Sequence, residues 1–140
     1  MAKFILASSS KSRLELLKKI NIIPDEIIPA DIDETPLKGE NPIDYVKRIA
    51  ENKCKKVHES NKNNVILSAD TILTRNRKIM QKAYTDKDVE NYLKFLSGRN
   101  FDVVTAICLF REDNSFINKI DITKVKFKNL SDNDIKEYVD

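Results

Sequence analysis

Lys3-Phe4-Ile5-Leu6-Ala7-Ser8-Ser9-Ser10-Lys11-Ser12-Arg13-Leu14-Glu15-Leu16-Leu17 changes character twice within one short stretch. Residues 3–7 are an apolar run and read as a buried strand. Ser8-Ser9-Ser10 is turn and N-cap material, because a serine hydroxyl can accept from the free N–H groups that open a helix. From Lys11 to about Ile20, Leu14, Leu16, Leu17 and Ile20 gather into one helical face. A strand feeding a helix through a tight polar turn is a building unit of α/β domains.

The rest of the chain extends that alternation. Glu26-Ile27-Ile28 reads as a second strand between Pro24 and Pro29. Residues 30–41, with Asp31, Asp33, Glu34, Pro36, Gly39 and Asn41, read as loop. Pro42 opens a long helix at its first turn, where proline is tolerated; Tyr45, Ile49 and Val57 form its stripe, and Asn61 to Asn64 end it. Val65-Ile66-Leu67 shows little polar alternation, so both its faces are expected to be covered. It runs into Ala69-Asp70-Thr71, and Ile72-Leu73-Thr74 is read as a second short strand that continues or turns from it, before a charged turn from Arg75 to Lys78. Asp86 begins a helix carrying Val89, Tyr92, Leu93 and Leu96, closed by Ser97-Gly98. Strands near 101–110 and 116–128 follow. Lys124, Lys126 and Lys128 alternate with Val125 and Phe127, which turns a lysine face to solvent or to an anion. Ser131 caps a last helix. The expectation is one mixed α/β domain over residues 1–140, with a sheet flanked by helices.

Composition narrows the chemistry. With 140 residues, 41% hydrophobic and 34% charged, the chain can bury a core and reads as soluble and globular. No apolar run approaches the ~20 residues of a membrane helix, and the start has too short an apolar stretch for a signal peptide, so a cytoplasmic protein is expected. Cys54 and Cys108 are the only cysteines and lie far apart, which is neither a disulfide framework nor a zinc pattern. His58 is the single histidine, in a Lys- and Glu-rich stretch that reads as a solvated helix end. Two glycines exclude the Gly-rich phosphate loops. The net charge of +3 with 7% aromatic residues argues against a nucleic-acid-binding module, the weakest of the readings considered.

Three groups could do chemistry. Ser8 to Arg13 joins hydroxyls and a guanidinium to a helix N-terminus, which attracts anions; an ordinary capped turn is the plainer account. Asp70 follows an apolar strand, and ligands gather outside strand ends in α/β sheets; a turn aspartate is the plainer account. Lys53, Lys82 and Glu34 are each anonymous in charged surroundings. Taken together, cations that hold phosphates and carboxylates that hold a metal and activate water resemble the apparatus of phosphoanhydride hydrolysis.

At this point the chain resembles the Maf family. Ile5 to Leu17 resembles its "LAS-x-S-x-x-R…LL" opening, and Tyr45 to Lys53 its "Y-V-x-R-x-A-x-x-K" helix. Ser68-Ala69-Asp70-Thr71 with Gln81-Lys82 resembles "A-D-T…K-P", and Leu96-Ser97-Gly98 with Val103-Val104-Thr105 resembles "LSG…V-x-T". Phe127 to Ser131 and Ile135 to Tyr138 resemble "F-x-x-L…I-x-x-Y". The resemblance implies a twisted α/β sheet of the Maf and ITPase kind, two-lobed with a central cleft. It implies a nucleoside triphosphate pyrophosphatase that releases a monophosphate and pyrophosphate from pyrimidine or modified nucleotides with Mg²⁺ or Mn²⁺, in a homodimer. Asp70 then matches the water-activating base, Ser8, Arg13, Lys53 and Lys82 the phosphate contacts, and Glu34 with Asp70 the metal ligands. Ser12 and Thr71 match positions tied to substrate choice. Departures are Ala83 for the usual proline, Ser12 in the usual double arginine, Lys11 for proline, Phe101 for histidine and Ala106 for glycine. Family members are expected to run on past Tyr138-Val139-Asp140. The alternative expectation is therefore a family member that binds nucleotide without turning it over.

Overall fold

The central strand β3 (Val65–Arg75) organises the molecule in the computed structural model, which describes residues 1–81 and 83–139. Its even-numbered residues Ile66, Ser68, Asp70 and Ile72 point to one face and its odd-numbered residues to the other, the period of two that any strand imposes. On the even face lies α2 (Pro42–His58). Asn41 caps it by accepting from Ile43 N–H, and Pro42 sits in its first turn, where the missing N–H costs nothing. Tyr45, Val46, Ile49, Ala50, Cys54 and Val57 bury its inner stripe against Ile66, Ile72, Val104, Ala106, Cys108 and Phe110. Each fully buried aliphatic side chain there is worth about 1.5–3 kcal/mol. Ser68, wholly buried, donates to the Ala50 carbonyl at 2.6 Å and so has a partner for its hydroxyl.

The six-stranded sheet has the order β2 (Glu26–Ile27), β1 (Phe4–Leu6), β3, β5 (Asn100–Phe110) and β6 (Phe116–Lys126), with β4 (Lys78–Met80) also paired to β3. β1 is parallel to both β2 and β3; the β3–β4, β3–β5 and β5–β6 pairs are antiparallel. α1 (Lys11–Lys19) connects β1 to β2. On the odd face, α3 (Asp86–Leu96) covers the far end of the sheet through a smaller cluster of Met80, Leu96 and Phe101, with Tyr92, Val103 and Phe127 against it. α4 (Asp132–Val139) packs on α3. The chain is thus an α/β mixed sheet with flanking helices, as its alternating pattern predicts.

The structure refines the sequence reading at four points. Of the two courses open to Ile72-Leu73-Thr74, continuing the preceding strand or turning from it, the structure takes the first, and residues 65–75 form one strand. β4 was not expected: Asn76 and Arg77, at φ 52° and 64°, close a tight hairpin without glycine, so the usual sequence signal is absent. The apolar face of α1 is only partly covered: Leu14 and Leu17 are half-buried, while Leu16 is 60% and Ile20 63% exposed. His58 ends α2 as expected and is half-buried; its ring stacks 4.0 Å from that of Phe110, and Nε2 lies 2.9 Å from Asn114 Oδ1.

After α3 the chain turns at Gly98 with φ 66°. Gly98 N–H donates to the Lys128 carbonyl at 3.0 Å and the Leu130 N–H to Ser97 Oγ at 2.7 Å, which lashes the helix end to the segment after β6. A Cβ at residue 98 would collide with the Asn129 side chain. Gly98→Ala is therefore expected to cost about 1–3 kcal/mol, read from the midpoint of urea unfolding. An unchanged midpoint would contradict the account of this corner.

Candidate active site

β3 has two edges, and their partners fix where a cleft can form. β5 pairs with residues 66–74 along one edge. β1 pairs with residues 65–67 and β4 with residues 73–75, and both must therefore lie along the other edge. Between them that edge has no strand partner among the described residues from Ser68 to Ile72, and Asp70 stands at the middle of the break. The sequence reading put Asp70 at a strand end. It lies within the strand, at a point where the neighbouring strand has ended.

A cleft of 1140 Å³ opens at this break. Ser8, Ser12, Arg13, Glu34, Lys53, Asp70 and Thr71 all line it. Lys82 falls outside the described residues. The far wall is apolar, with Leu73, Met80, Tyr92, Leu93 and Phe127.

Each polar side chain arrives from a different element. β1 ends at Leu6 and delivers Ser8, whose Oγ accepts from Ser10 N–H and from Arg13 Nη1, both at 3.1 Å. Ser10 caps α1 by accepting from Arg13 N–H at 3.3 Å. The helix N-terminus, the hydroxyl and the guanidinium thus face one corner, an arrangement that favours anions. Arg13 is held below the usual arginine range by burial, opposed by the attraction of Asp70 and Glu34. α2 delivers Lys53. Its ammonium stands 3.4 Å from Asp70 Oδ1 and 3.3 Å from Glu34 Oε1, so one cation bridges two carboxylates. Thr71 points to the opposite face of β3, where its hydroxyl meets that of Thr105 at 3.0 Å.

Asp70 is the unusual group. It is 8% exposed, and Oδ2 has no hydrogen-bond partner among the described residues. Burial pushes its carboxyl above the ordinary range and Glu34 adds to the rise, while Lys53 and Arg13 pull it down. An orphaned carboxylate oxygen is costly unless something else uses it. Hard divalent cations take carboxylate oxygens, and magnesium commonly keeps one or two protein carboxylates with waters and substrate phosphates. Asp70 and Glu34 fit that donor set. No group of three His, Cys, Asp or Glu stands together among the described residues, so further ligands would come from water and phosphate.

Two further residues join the site that sequence reasoning did not single out. Tyr45, read as core, donates its hydroxyl to the Glu34 carbonyl at 2.7 Å. Gln81 Nε2 donates to the same carbonyl at 3.0 Å and to Tyr45 Oη at 3.1 Å. The one available signal was a tyrosine on a buried stripe, since a buried phenol needs a polar partner.

Comparison with known proteins bears on this cleft. A family described as Maf-like protein matches residues 3–140. The chain belongs to the Maf family. It is 47% identical over 137 residues to a dTTP/UTP pyrophosphatase of Wolbachia sp. subsp. Drosophila simulans, covering 96% of this chain and 69% of that protein. A dTTP/UTP pyrophosphatase of Zymomonas mobilis is 44% identical, covering 99% and 68%. A nucleoside triphosphate pyrophosphatase of Ehrlichia canis is 43% identical, covering 100% and 74%. Among solved structures, a HAM1 protein from Coxiella burnetii matches with a TM-score of 0.56 at 19% identity, over 90% of this chain and 73% of that one. The Ham1 protein of Staphylococcus aureus matches at 0.55 and 17%, over 88% and 70%. These two carry the fold alone. No helix among the described residues is long and apolar enough to cross a membrane.

The raised Asp70 carboxyl has a consequence for this Maf chain. Unfolded, it titrates near 3.8; folded, above that. Between those values the folded state holds the extra proton, so this group's contribution to stability is present at low pH and is lost as the pH rises through the window. Asp70→Asn is expected to lack that loss and to be the more stable chain near neutral pH. Urea unfolding of both chains across the acidic range checks it; an advantage for the aspartate that grows with pH would refute it.

Proposed function

We propose that this Maf chain hydrolyses a pyrimidine nucleoside triphosphate, of the dTTP and UTP type, to the monophosphate and pyrophosphate. The observation that carries the reading is the convergence of Asp70, Lys53, Glu34, Ser8 and Arg13 at the break in the β3 edge. Relatives bearing these activities cover about the whole of this chain at more than 40% identity.

The chemistry follows from the residues. Ser8, Arg13, Lys53 and Lys82 hold the triphosphate, and Ser12 and Thr71 stand where substrate choice is made. Water attacks the α-phosphorus, the α–β anhydride P–O bond breaks, and pyrophosphate leaves. Asp70 takes the proton of the attacking water. A base works best with a pKa near the working pH, so burial that raises Asp70 suits the role. Lys53 offsets the charge of the two carboxylates while they face a polyanion. Asp70 and Glu34 would hold a divalent cation, Mg²⁺ or Mn²⁺, which would neutralise charge building on the phosphate oxygens.

The same proposal takes residues 1–140 as one domain, places it in the cytoplasm and pairs it in a homodimer. Two buried free thiols suit a reducing compartment. The open side chains of Leu16, Ile20 and Ile23 on α1 and the turn after it offer apolar surface to a second copy.

The test is product analysis on purified protein with dTTP, UTP, CTP and modified triphosphates in Mg²⁺ or Mn²⁺. The expected products are monophosphate and pyrophosphate. Asp70→Ala should lower kcat by about 10²–10⁴-fold, and chelation should abolish turnover. Release of orthophosphate, undiminished activity in Asp70→Ala, or nucleotide binding without turnover would each overturn the proposal.

A further inference from the structure

Glu34 sits on a segment with no secondary structure of its own, between β2 and α2. A carboxylate on a free loop would be a poor member of a tight site, because catalytic groups need their own supports. The first turns of α2 supply them. Arg48 donates from Nε to Glu40 Oε2 at 2.7 Å and from Nη2 to Glu40 Oε1 at 2.8 Å, a two-pronged pair with the Glu40 side chain only 8% exposed. The same Nη2 donates to the Thr35 carbonyl at 3.1 Å. Glu40 Oε1 also accepts from Leu37 N–H at 3.0 Å, which closes the loop on itself. One residue before Thr35, Tyr45 and Gln81 both donate to the Glu34 carbonyl.

Two consecutive carbonyls are therefore gripped from one helix, with Gln81 of the segment after β4 as a third hand. Further along the same helix, Lys53 grips the Glu34 side chain. The Arg48 guanidinium also lies 5.6 Å from the centre of the Tyr45 ring, so the two supports brace each other. The helix sets both the backbone and the carboxylate of Glu34 against Asp70.

We infer that Tyr45, Arg48 and Gln81 are positioning residues for the hydrolysis, acting through Glu34. The inference rests on the pyrophosphatase reading above. None of the three needs to touch substrate. Their work is to hold the loop carboxylate at a fixed distance from Asp70 and from the metal the two would share.

The experiment compares the unsubstituted chain with Tyr45→Phe, Arg48→Lys and Gln81→Ala, each alone and on a Glu34→Gln background. Tyr45→Phe removes one hydroxyl and keeps the core filled; Arg48→Lys keeps charge opposite Glu40 and loses the two-pronged bond. Each single substitution should lower kcat and raise the Mg²⁺ concentration needed for half-maximal rate, about 10-fold or more, as loss of such outer supports does. KM for the nucleotide should stay within about 2-fold. On the Glu34→Gln background the same substitutions should change kcat little. Hydrogen exchange provides a reading independent of turnover: the Thr35 and Leu37 amides should exchange faster in Tyr45→Phe and Arg48→Lys, with core amides of β3 unchanged. Equal fold losses on both backgrounds, unchanged loop exchange, or loop exchange that rises with full activity would overturn the inference. An unsubstituted chain without turnover is a failure of the parent reading, visible before any variant is made, and the inference falls with it.

Discussion

One ammonium between two carboxylates sets the terms for the rest of the molecule. Lys53 holds Asp70 from the sheet and Glu34 from a loop, all three lining one cleft, with Lys53 and Asp70 largely withdrawn from solvent and Glu34 half-exposed. Without the lysine, nothing would offset the repulsion between the buried Asp70 carboxylate and Glu34. With it, the two can stand close. The arrangement still leaves Asp70 Oδ2 without a partner and its carboxyl raised. A fold that only needed stability would fill that position with an apolar residue, because buried ionic groups are costly compared with packed hydrocarbon.

The fold exists to make this juxtaposition rigid. β3 carries Asp70 on the same face as Ser68 and Ile66, and α2 lies across that face. Lys53 and Cys54 are neighbours, so the residue that reaches into the cleft is fixed by one that is wholly buried. Opposite, the ending of β1 and the late arrival of β4 leave the strand edge open where the carboxylate stands. A fully paired sheet would have sealed that edge with another backbone.

Much of this was legible in the sequence, and the exceptions share a cause. α2 announced itself through Pro42 and the stripe of Tyr45, Ile49 and Val57, and the β1–α1 unit through its change of period. Local patterns of that kind need no knowledge of distant residues. Whether Ile72-Leu73-Thr74 continues β3 or turns from it stayed open in the reading because Ser68 and Asp70 interrupt the apolar run; their partners, the Ala50 carbonyl and Lys53, lie far back in the chain. β4 was lost because Asn76 and Arg77 adopt left-handed backbone without glycine. The site was legible as a set of residue types and a family resemblance, and the structure brings Ser8, Arg13, Glu34, Lys53 and Asp70 to one cleft. Tyr45 and Gln81 were not read as part of it, since a hydroxyl bonded to a loop carbonyl leaves no mark on hydropathy. Leu16 and Ile20 show the converse: their helical pattern was correct, and the face they build lies open.

The most direct test is to titrate the Asp70 carboxyl itself by carbon-detected NMR, in the unsubstituted chain and in Lys53→Met. The account predicts a midpoint above the ordinary aspartate range, moving further up when the ammonium is gone. A midpoint at the ordinary value, or one indifferent to Lys53, would contradict the bridged pair on which the site is built.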